Sequence, residues 1–150
     1  FGLIDQPYIG ERFVGGLGHA FMERDGVKTP LVTSETQSLA KAIIYTTYPE
    51  VGSKVEAVAF HQVAQLCKLT RYGMDCYAYA LLAAGHIDLV IEAGLQAYDI
   101  QAPIALVRAA GGVATDWGGG NPMNGGRCIC AATPELHAAA LKILKHVPLD

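Results

Sequence analysis

Three carboxylates of this 150-residue chain stand at junctions between predicted strands and helices, where ligands collect in α/β proteins. Asp75 follows a short strand and Gly73, Glu92 ends an apolar strand, and Asp99 stands at the start of a helix after the next loop. The carboxyl ends of strands form the ligand-binding edge of an open α/β sheet. Carboxylate oxygens are the ligands that hard cations such as Mg²⁺ prefer. The pattern therefore indicates a cation-binding edge.

Each of these residues also has a structural explanation. Asp99 fits a helix N-cap, and the pattern alone favours that role for it. Asp75 fits a partner of a helix dipole, and Glu92 fits a solvated residue at a strand end. The polar run 33–35 follows a further predicted strand and is expected at the same edge. From the residue pattern alone, chemistry and structure both stay open for these positions.

Other kinds of site find little support in the sequence. The five histidines are scattered, no Ser/His/Asp triad can be argued, and the glycine-rich loop 118–126 matches no phosphate-binding fingerprint. The four cysteines, Cys67, Cys76, Cys128 and Cys130, lack zinc spacing. We expect them to be reduced residues of a cytoplasmic protein, with Cys128 and Cys130 on one face of a strand.

The composition is that of one globular domain with a substantial core. Hydrophobic residues make up 51% of the chain and charged residues 17%, with a net charge of -3. This balance, without any basic run, argues against a nucleic-acid partner. The longest charge-free segments, such as 76–87, are too short to span a membrane. The chain opens at Phe1 in what reads as the interior of a strand, so we expect it to be part of a longer or processed protein.

Strands that alternate with helices predict an α/β sheet with helices on both faces, preceded by an antiparallel hairpin. We predict strands at 1–8, 12–21, 30–33, 68–72, 87–92, 113–116 and 128–132. We predict helices at 37–47, 54–67, 74–84, 99–110 and 133–145, the last one capped by Thr133 with Pro134 at its first position.

Two of these segments resemble a known family. Leu95-Gln-Ala-Tyr-Asp-Ile-Gln-Ala-Pro103, followed by Ala109-Ala-Gly-Gly-Val-Ala-Thr-Asp116, is similar to the second signature of the inositol-monophosphatase-like metal-dependent phosphatases. That signature reads Trp-Asp-x-Ala-(Ala/Gly), an apolar run, and then Glu-Ala-Gly-Gly. Tyr98 replaces the tryptophan, and the acid before the paired glycines is absent. The spacing from Asp99 to the paired glycines is kept.

Within that superfamily the chain resembles the histidinol-phosphate phosphatase branch most. Ile4 to Gly15 is similar to its hairpin, and Arg71-Tyr-Gly-Met-Asp-Cys-Tyr-Ala-Tyr79 to its Trp-Gly-Gly-Asp-Cys-Tyr-x-Tyr motif. The resemblance implies that Asp99 is a ligand of catalytic Mg²⁺ and that Gly73, Asp75 and Glu92 line the substrate pocket. A carboxylate at position 75, where inositol enzymes carry a small residue, suits a cationic substrate such as histidinol phosphate.

The first signature of the family, Asp-Pro-(Ile/Leu)-Asp-Gly-Thr, is not in the chain. The resemblance therefore implies a C-terminal α/β/α lobe at 30–150, preceded at 1–29 by a hairpin from the antiparallel sheet of a missing N-terminal lobe. We expect a phosphatase of small phosphorylated substrates that is inactive as this fragment and forms a homo-oligomer or binds the missing half. The alternatives are an inositol, sugar or nucleotide phosphatase of the same superfamily, or a degenerate binding domain without catalysis.

Overall fold

The structure is a computed structural model that describes residues 1–148, and it contains two β-sheets and four helices. The strands are β1 (Gly2–Gln6), β2 (Glu11–Gly16), β3 (His19–Arg24), β4 (Val27–Pro30), β5 (Ile43–Thr46), β6 (Leu69–Tyr72), β7 (Leu89–Leu95), β8 (Val113–Thr115) and β9 (Gly126–Ala131). The helices are α1 (Lys54–Ala64), α2 (Cys76–Ala83), α3 (Ala97–Ala109) and α4 (Pro134–Leu144). The predicted α/β class is confirmed.

The larger sheet has five strands in the order β6-β5-β7-β9-β8. Strands β5, β6 and β7 are parallel, whereas β9 runs antiparallel to both of its neighbours. The three parallel strands therefore end at the same edge of the sheet. One face packs on α1 and α4 around Phe60 and Leu136, and the other packs on α2 and α3 around Leu82 and Leu106. Helices on both faces bury this sheet, as predicted.

A four-stranded antiparallel sheet, in the order β1-β2-β3-β4, covers the outer side of α2 and α3. Two glycines allow β1 and β2 to approach α3 closely. A Cβ atom on Gly2 would lie 2.3 Å from the carbonyl oxygen of Ala102, and one on Gly15 would lie 2.4 Å from the Cα atom of Leu106. Neither distance is compatible with a side chain, so the backbone packing of this layer depends on both glycines.

The predicted hairpin accounts for only part of the antiparallel sheet, because that sheet has four strands and not two. The segment predicted as one strand at 12–21 contains β2, β3 and a tight turn, where Leu17 has φ 54° and Gly18 has φ 80°. The Asp25-Gly26 turn was correctly predicted, with φ of 52° and 76°, values that suit a two-residue hairpin loop. The proposed division at residue 29 stays a prediction, and residues 149 and 150 of the second unit lie outside the described residues.

The helix predicted at 37–47 is wrong. This segment forms a single 3-10 turn at Leu39–Lys41 and then strand β5. Ile43, Ile44, Tyr45 and Thr46 are β-branched or aromatic, and such side chains fit a pleated strand better than a helix. Hydrogen bonding to β6 on one side and β7 on the other fixes the extended conformation.

The ends of the helices are held by the polar residues that the sequence places there. In α1 the hydroxyl of Ser53 accepts from the N–H of Glu56, and the Glu56 carboxylate accepts from the N–H of Ser53 at 2.6 Å. In α4 Thr133 accepts from the N–H of Leu136, and Pro134 follows at the first position, as predicted. Across residues 1–148 we find no helix with the length and apolar character needed to cross a bilayer.

Candidate active site

A cleft of about 520 Å³ opens at the edge where the parallel strands β5 and β7 end and where α2 and α3 begin. The residues that line it are Thr47, Tyr48, Asp75, Cys76, Tyr79, Glu92, Ala93, Gly94, Leu95, Tyr98 and Asp99. All three carboxylates predicted from the sequence therefore lie in one cleft. Gly73 is not among the lining residues, although it is two residues from Asp75.

The charge of the cleft has one sign. Asp75, Glu92 and Asp99 line it, and no Lys, Arg or His side chain of residues 1–148 does so. Carboxylates in a concave site concentrate positive charge and repel an anion. The N-termini of α2 and α3 point to this region and partly offset the repulsion between the carboxylates. The cleft is therefore built to attract cations, as metal ions or as positively charged groups of a ligand.

Glu92 is the buried carboxylate of the cleft, with 7% of its surface exposed. Its Oε1 accepts from the N–H of Thr47 at 2.7 Å and from the Thr47 hydroxyl at 2.8 Å, and its Oε2 accepts from the Thr46 hydroxyl at 3.1 Å. Burial raises the pKa of Glu92 above its usual value, the three hydrogen bonds oppose this rise, and the nearby charge of Asp75 adds to it. Burial therefore makes the ionised form of Glu92 unfavourable, although hydrogen bonds hold its side chain in place. A bound cation would stabilise this ionised form.

Replacing Glu92 with glutamine is expected to stabilise the ligand-free protein at neutral pH. The raised pKa means that Glu92 contributes stability below its unfolded pKa and loses it as the pH rises through the folded pKa. Glutamine does not titrate, so the variant should gain free energy of unfolding relative to the parent between pH 4 and pH 7. Urea unfolding at a series of pH values measures this, and a difference between variant and parent that does not change with pH would contradict it.

Asp99 lies at the third position of α3, half-buried, and not at the N-cap. Helix α3 begins two residues earlier than predicted, with Gln96 as its N-cap. The Oδ2 atom of Asp99 accepts from the N–H of Gln96 at 2.7 Å. The predicted N-cap role is therefore wrong, but the carboxylate takes part in the capping box of α3 from its third position, and it has a second oxygen, Oδ1, to offer to the cleft.

The backbone that carries Asp75 is strained. Gly73, Met74 and Asp75 all have positive φ, at 96°, 77° and 45°, and the N–H of Gly73 donates to the carbonyls at the end of β5. Consecutive residues with positive φ are rare outside glycine and cluster at functional sites, where the surrounding structure holds them. Asp75 is the residue before α2, and this loop places its carboxylate in the cleft.

The lining residues offer no activated nucleophile. Cys76 is the one thiol in the cleft, and burial together with the charges of Asp75 and Asp99 raises its pKa. A protonated thiol is a poor nucleophile at neutral pH. Chemistry at this cleft is therefore expected to use water and not a covalent intermediate on cysteine.

The cleft residues fit part of a metal site. Between Phe1 and Pro148, no group of three or more His, Cys, Asp or Glu side chains comes together closely enough to hold a metal ion. The Oδ1 atom of Asp99 has no hydrogen-bond partner among the contacts of residues 1–148, so it is available as a ligand. A cation bound here needs further oxygen ligands, from water or from outside this chain.

The sequence missed two residues of the site and placed one polar run there incorrectly. Thr46 and Thr47 hold Glu92, but the incorrect helix at 37–47 hid the strand end on which they stand. The polar run 33–35, expected at the same edge, lies at the opposite one. There Ser34 donates to Asp88, which also accepts from the N–H of Ile43 at the start of β5. The run of β-branched and aromatic residues at 43–47 was the signal that could have placed the threonines correctly.

Comparison with known proteins agrees with this architecture. The model of the inositol monophosphatase family matches residues 1–149. The chain is 43% identical over 118 residues to the bifunctional phosphatase IMPL2, chloroplastic, of Arabidopsis thaliana, covering 79% of this chain and 33% of that protein. It is 32% identical to the inositol-1-monophosphatase ImpA of Mycolicibacterium smegmatis over 96% of this chain and 54% of the relative. The chain thus spans about half or less of the length of these relatives.

Solved structures show the same fold. An inositol monophosphatase from Zymomonas mobilis superposes with a TM-score of 0.87 at 34% identity, over 95% of this chain and 56% of that one. The extragenic suppressor protein SuhB from Bartonella henselae superposes with a TM-score of 0.83 at 27% identity, over 97% of this chain and 56% of that one. The match of the family model over nearly the whole chain decides the assignment. The chain belongs to the inositol monophosphatase family.

Proposed function

We propose that this chain supplies the substrate-recognising part of a Mg²⁺-dependent phosphomonoesterase that hydrolyses histidinol phosphate to histidinol and phosphate. The observation that carries the proposal is the cleft, which brings Asp75, Glu92 and Asp99 together and has no basic side chain among its lining residues within 1–148. Such a cleft favours a substrate with positive charge, and histidinol phosphate carries an amine and an imidazole.

Two of the carboxylates, Asp75 and Glu92, recognise the cationic part of the substrate. Asp75 is exposed at the mouth of the cleft and Glu92 is buried in its wall. A cationic group between them would replace the water around Asp75 and would stabilise the buried negative charge of Glu92. Charge-assisted hydrogen bonds of this kind discriminate strongly against an uncharged analogue, because the analogue leaves the carboxylates unpaired. Gly73 contributes the sharp turn that positions Asp75.

Asp99 is the carboxylate that we assign to the binding of the phosphate group, through bound cations. A phosphate dianion is repelled by three carboxylates, so its binding requires cations, and we infer that Asp99 supplies one ligand to them. When bound, Mg²⁺ would polarise the phosphate ester and lower the pKa of a water molecule for attack. The other ligands come from outside residues 1–148, since the described side chains do not complete a metal site.

The test is a substrate panel with the whole protein, including any sequence upstream of Phe1. With Mg²⁺ present, kcat/KM for histidinol phosphate is expected to exceed that for myo-inositol 1-phosphate at least about tenfold, the value of one charge-assisted hydrogen bond. Phosphate release measures both. A preference for the inositol ester would contradict the substrate assignment, and hydrolysis of neither ester would favour a binding domain without catalysis.

The isolated 150-residue chain serves as the control arm of that experiment. Because its described residues supply only part of a metal site, we expect Mg²⁺-dependent phosphate release to fall to the background rate. Turnover by the isolated chain at the rate of the whole protein would show that the cleft is complete by itself.

The inositol ester is the second candidate substrate for a specific reason. ImpA of Mycolicibacterium smegmatis, which is 32% identical to this chain, is named an inositol-1-monophosphatase. Against it stands Asp75, because a carboxylate at the mouth of the cleft has no charge to pair with on a neutral polyol. The panel decides between the two.

We also propose that the antiparallel sheet is an association surface, either between copies of the chain or with further sequence of the same protein. Among residues 1–148 both edge strands, β1 and β4, lack an outer partner. Phe1, Leu3 and Val27 are exposed on these strands or beside them, with 76%, 42% and 65% of their surface accessible. Unpaired apolar edges are templates for pairing.

The isolated chain is therefore expected to self-associate. Light scattering after size-exclusion chromatography should give a mass of two or more chains at micromolar concentration. A lysine in place of Val27, on the exposed edge strand β4, should shift the equilibrium toward the monomer because a charge on an edge opposes pairing. A monodisperse monomer of the parent chain would contradict this proposal.

A further inference from the structure

Tyr79 carries an unsatisfied hydroxyl. It lies in α2 with 3% of its surface exposed, and its Oη is the one buried side-chain nitrogen or oxygen of residues 1–148 without a hydrogen-bond partner. Buried tyrosine hydroxyls almost always have a partner, and an exception in a native protein calls for an explanation such as a bound water or a ligand.

The position of Tyr79 makes a ligand of the cleft a candidate partner for its hydroxyl. The side chain is one of those that line the cleft, together with Glu92 and Asp99. Burial raises the pKa of Tyr79 well above its usual value, and the neighbouring Cys128, Cys130, Glu92 and Asp99 raise it further. The hydroxyl therefore stays protonated throughout the physiological range and keeps its capacity to donate.

Tyr79 provides a hydrogen-bond donor that the other buried side chains of the cleft do not offer. Glu92 and Asp99 are acceptors, and the Thr47 hydroxyl already donates to Glu92. The carboxylates can therefore bind the donor or cationic groups of a ligand. They cannot bind an acceptor group of the same ligand. A ligand that satisfies both Glu92 and Tyr79 must present a positively charged nitrogen and, close to it, an electron-pair acceptor.

We propose that Tyr79 is a further substrate-binding residue, whose hydroxyl donates to an acceptor atom on the alcohol portion of the phosphate ester. This deepens and rests on the proposed function. The substrate class is then a phosphate monoester whose alcohol carries both a cationic nitrogen, held by Asp75 and Glu92, and a neutral acceptor such as an unprotonated ring nitrogen or a hydroxyl.

The test compares Tyr79→Phe with Tyr77→Phe in the whole protein. Both changes remove one phenolic oxygen from α2, but the Tyr77 hydroxyl donates to Glu11 at 2.7 Å and does not line the cleft. For Tyr79→Phe we expect KM for histidinol phosphate to rise about 3- to 10-fold with a smaller change in kcat, while the melting temperature stays level or rises. Tyr77→Phe should leave KM unchanged.

The combination of readouts separates binding from structure. A purely structural tyrosine would change the melting temperature without changing KM, and unaltered steady-state constants in Tyr79→Phe would overturn the inference. If the parent protein prefers myo-inositol 1-phosphate, the proposed function fails on its own, and the same comparison of KM on that ester decides the role of Tyr79.

Discussion

Replacing Asp75 with asparagine in the whole protein is expected to lower kcat/KM for histidinol phosphate about 10- to 100-fold, the range of one hydrogen bond to a charged group. The corresponding constant for myo-inositol 1-phosphate should change less than about threefold, because a neutral polyol bonds almost equally well to an amide. The reason is the position of Asp75 at the mouth of a cleft that holds no basic side chain of residues 1–148. Initial rates of phosphate release at several substrate concentrations measure both constants.

Asparagine is the right replacement because it is the uncharged side chain closest to aspartate in shape. Asp75 has a φ of 45° and a ψ of −132°, a strained conformation that a larger change of side chain would disturb. Alanine would remove the shape and the hydrogen-bonding capacity of the side chain together with its charge, and these effects could not be separated. Asparagine keeps the shape and the hydrogen-bonding capacity and removes only the negative charge.

The chain offers a matched control for this change. Asp25 is also an aspartate with positive φ, at 52°, and it lies in the turn between β3 and β4 and not in the cleft. Asp25→Asn should leave both kinetic constants at their parent values. Equal losses on the two esters in Asp75→Asn would show that Asp75 supports the loop and does not recognise the cation.

The α/β part of the fold was predictable because its local signals agree with its packing. The segments at 87–92 and 128–132 are short, largely apolar runs bounded by turns, and each forms a strand within about three residues of the predicted limits. Helix α4 has its cap and its proline where the pattern required them. In such segments, local propensity and burial favour the same structure.

The predictions failed where the structure depends on contacts between distant segments. Strand β5 was predicted as a helix because periodicity in a short apolar run does not separate the two states, and only pairing with β6 and β7 decides between them. That error also removed Thr46 and Thr47 from the predicted site. Tyr79 could not be identified from the sequence, because the lack of a partner for its hydroxyl is a property of the packed interior.

Asp99 shows why a residue pattern alone could not decide between a structural and a functional role. In the structure one oxygen of its carboxylate caps α3 through the N–H of Gln96, and the residue also lines the cleft. A cap and a ligand are compatible because a carboxylate has two oxygens, each with two lone pairs. The useful question is therefore which property of Asp99 is needed for which function, and substitutions can separate them.

Asp99→Asn in the whole protein is expected to reduce Mg²⁺-dependent turnover about 100-fold or more while nearly preserving stability. An amide oxygen can still accept from the N–H of Gln96, so the cap persists and only the interaction with the helix dipole, about 0.3 to 1 kcal/mol, is lost. The missing negative charge, in contrast, weakens the binding of a metal ion, and such an ion stabilises the transition state by several kcal/mol. Phosphate release over a Mg²⁺ titration and urea unfolding measure the two effects.

Asp99→Ala completes the comparison, because it removes the cap and the ligand together. It should lose activity as Asp99→Asn does and, in addition, about 1 kcal/mol of the free energy of unfolding, the usual net contribution of one hydrogen bond such as that from the N–H of Gln96. If Asp99 were only a cap, Asp99→Asn would turn over substrate like the parent, and only the alanine variant would be impaired, in stability. Loss of activity without loss of stability in Asp99→Asn is the result that requires a second role, and the half-buried carboxylate at the wall of the cleft is placed to have one.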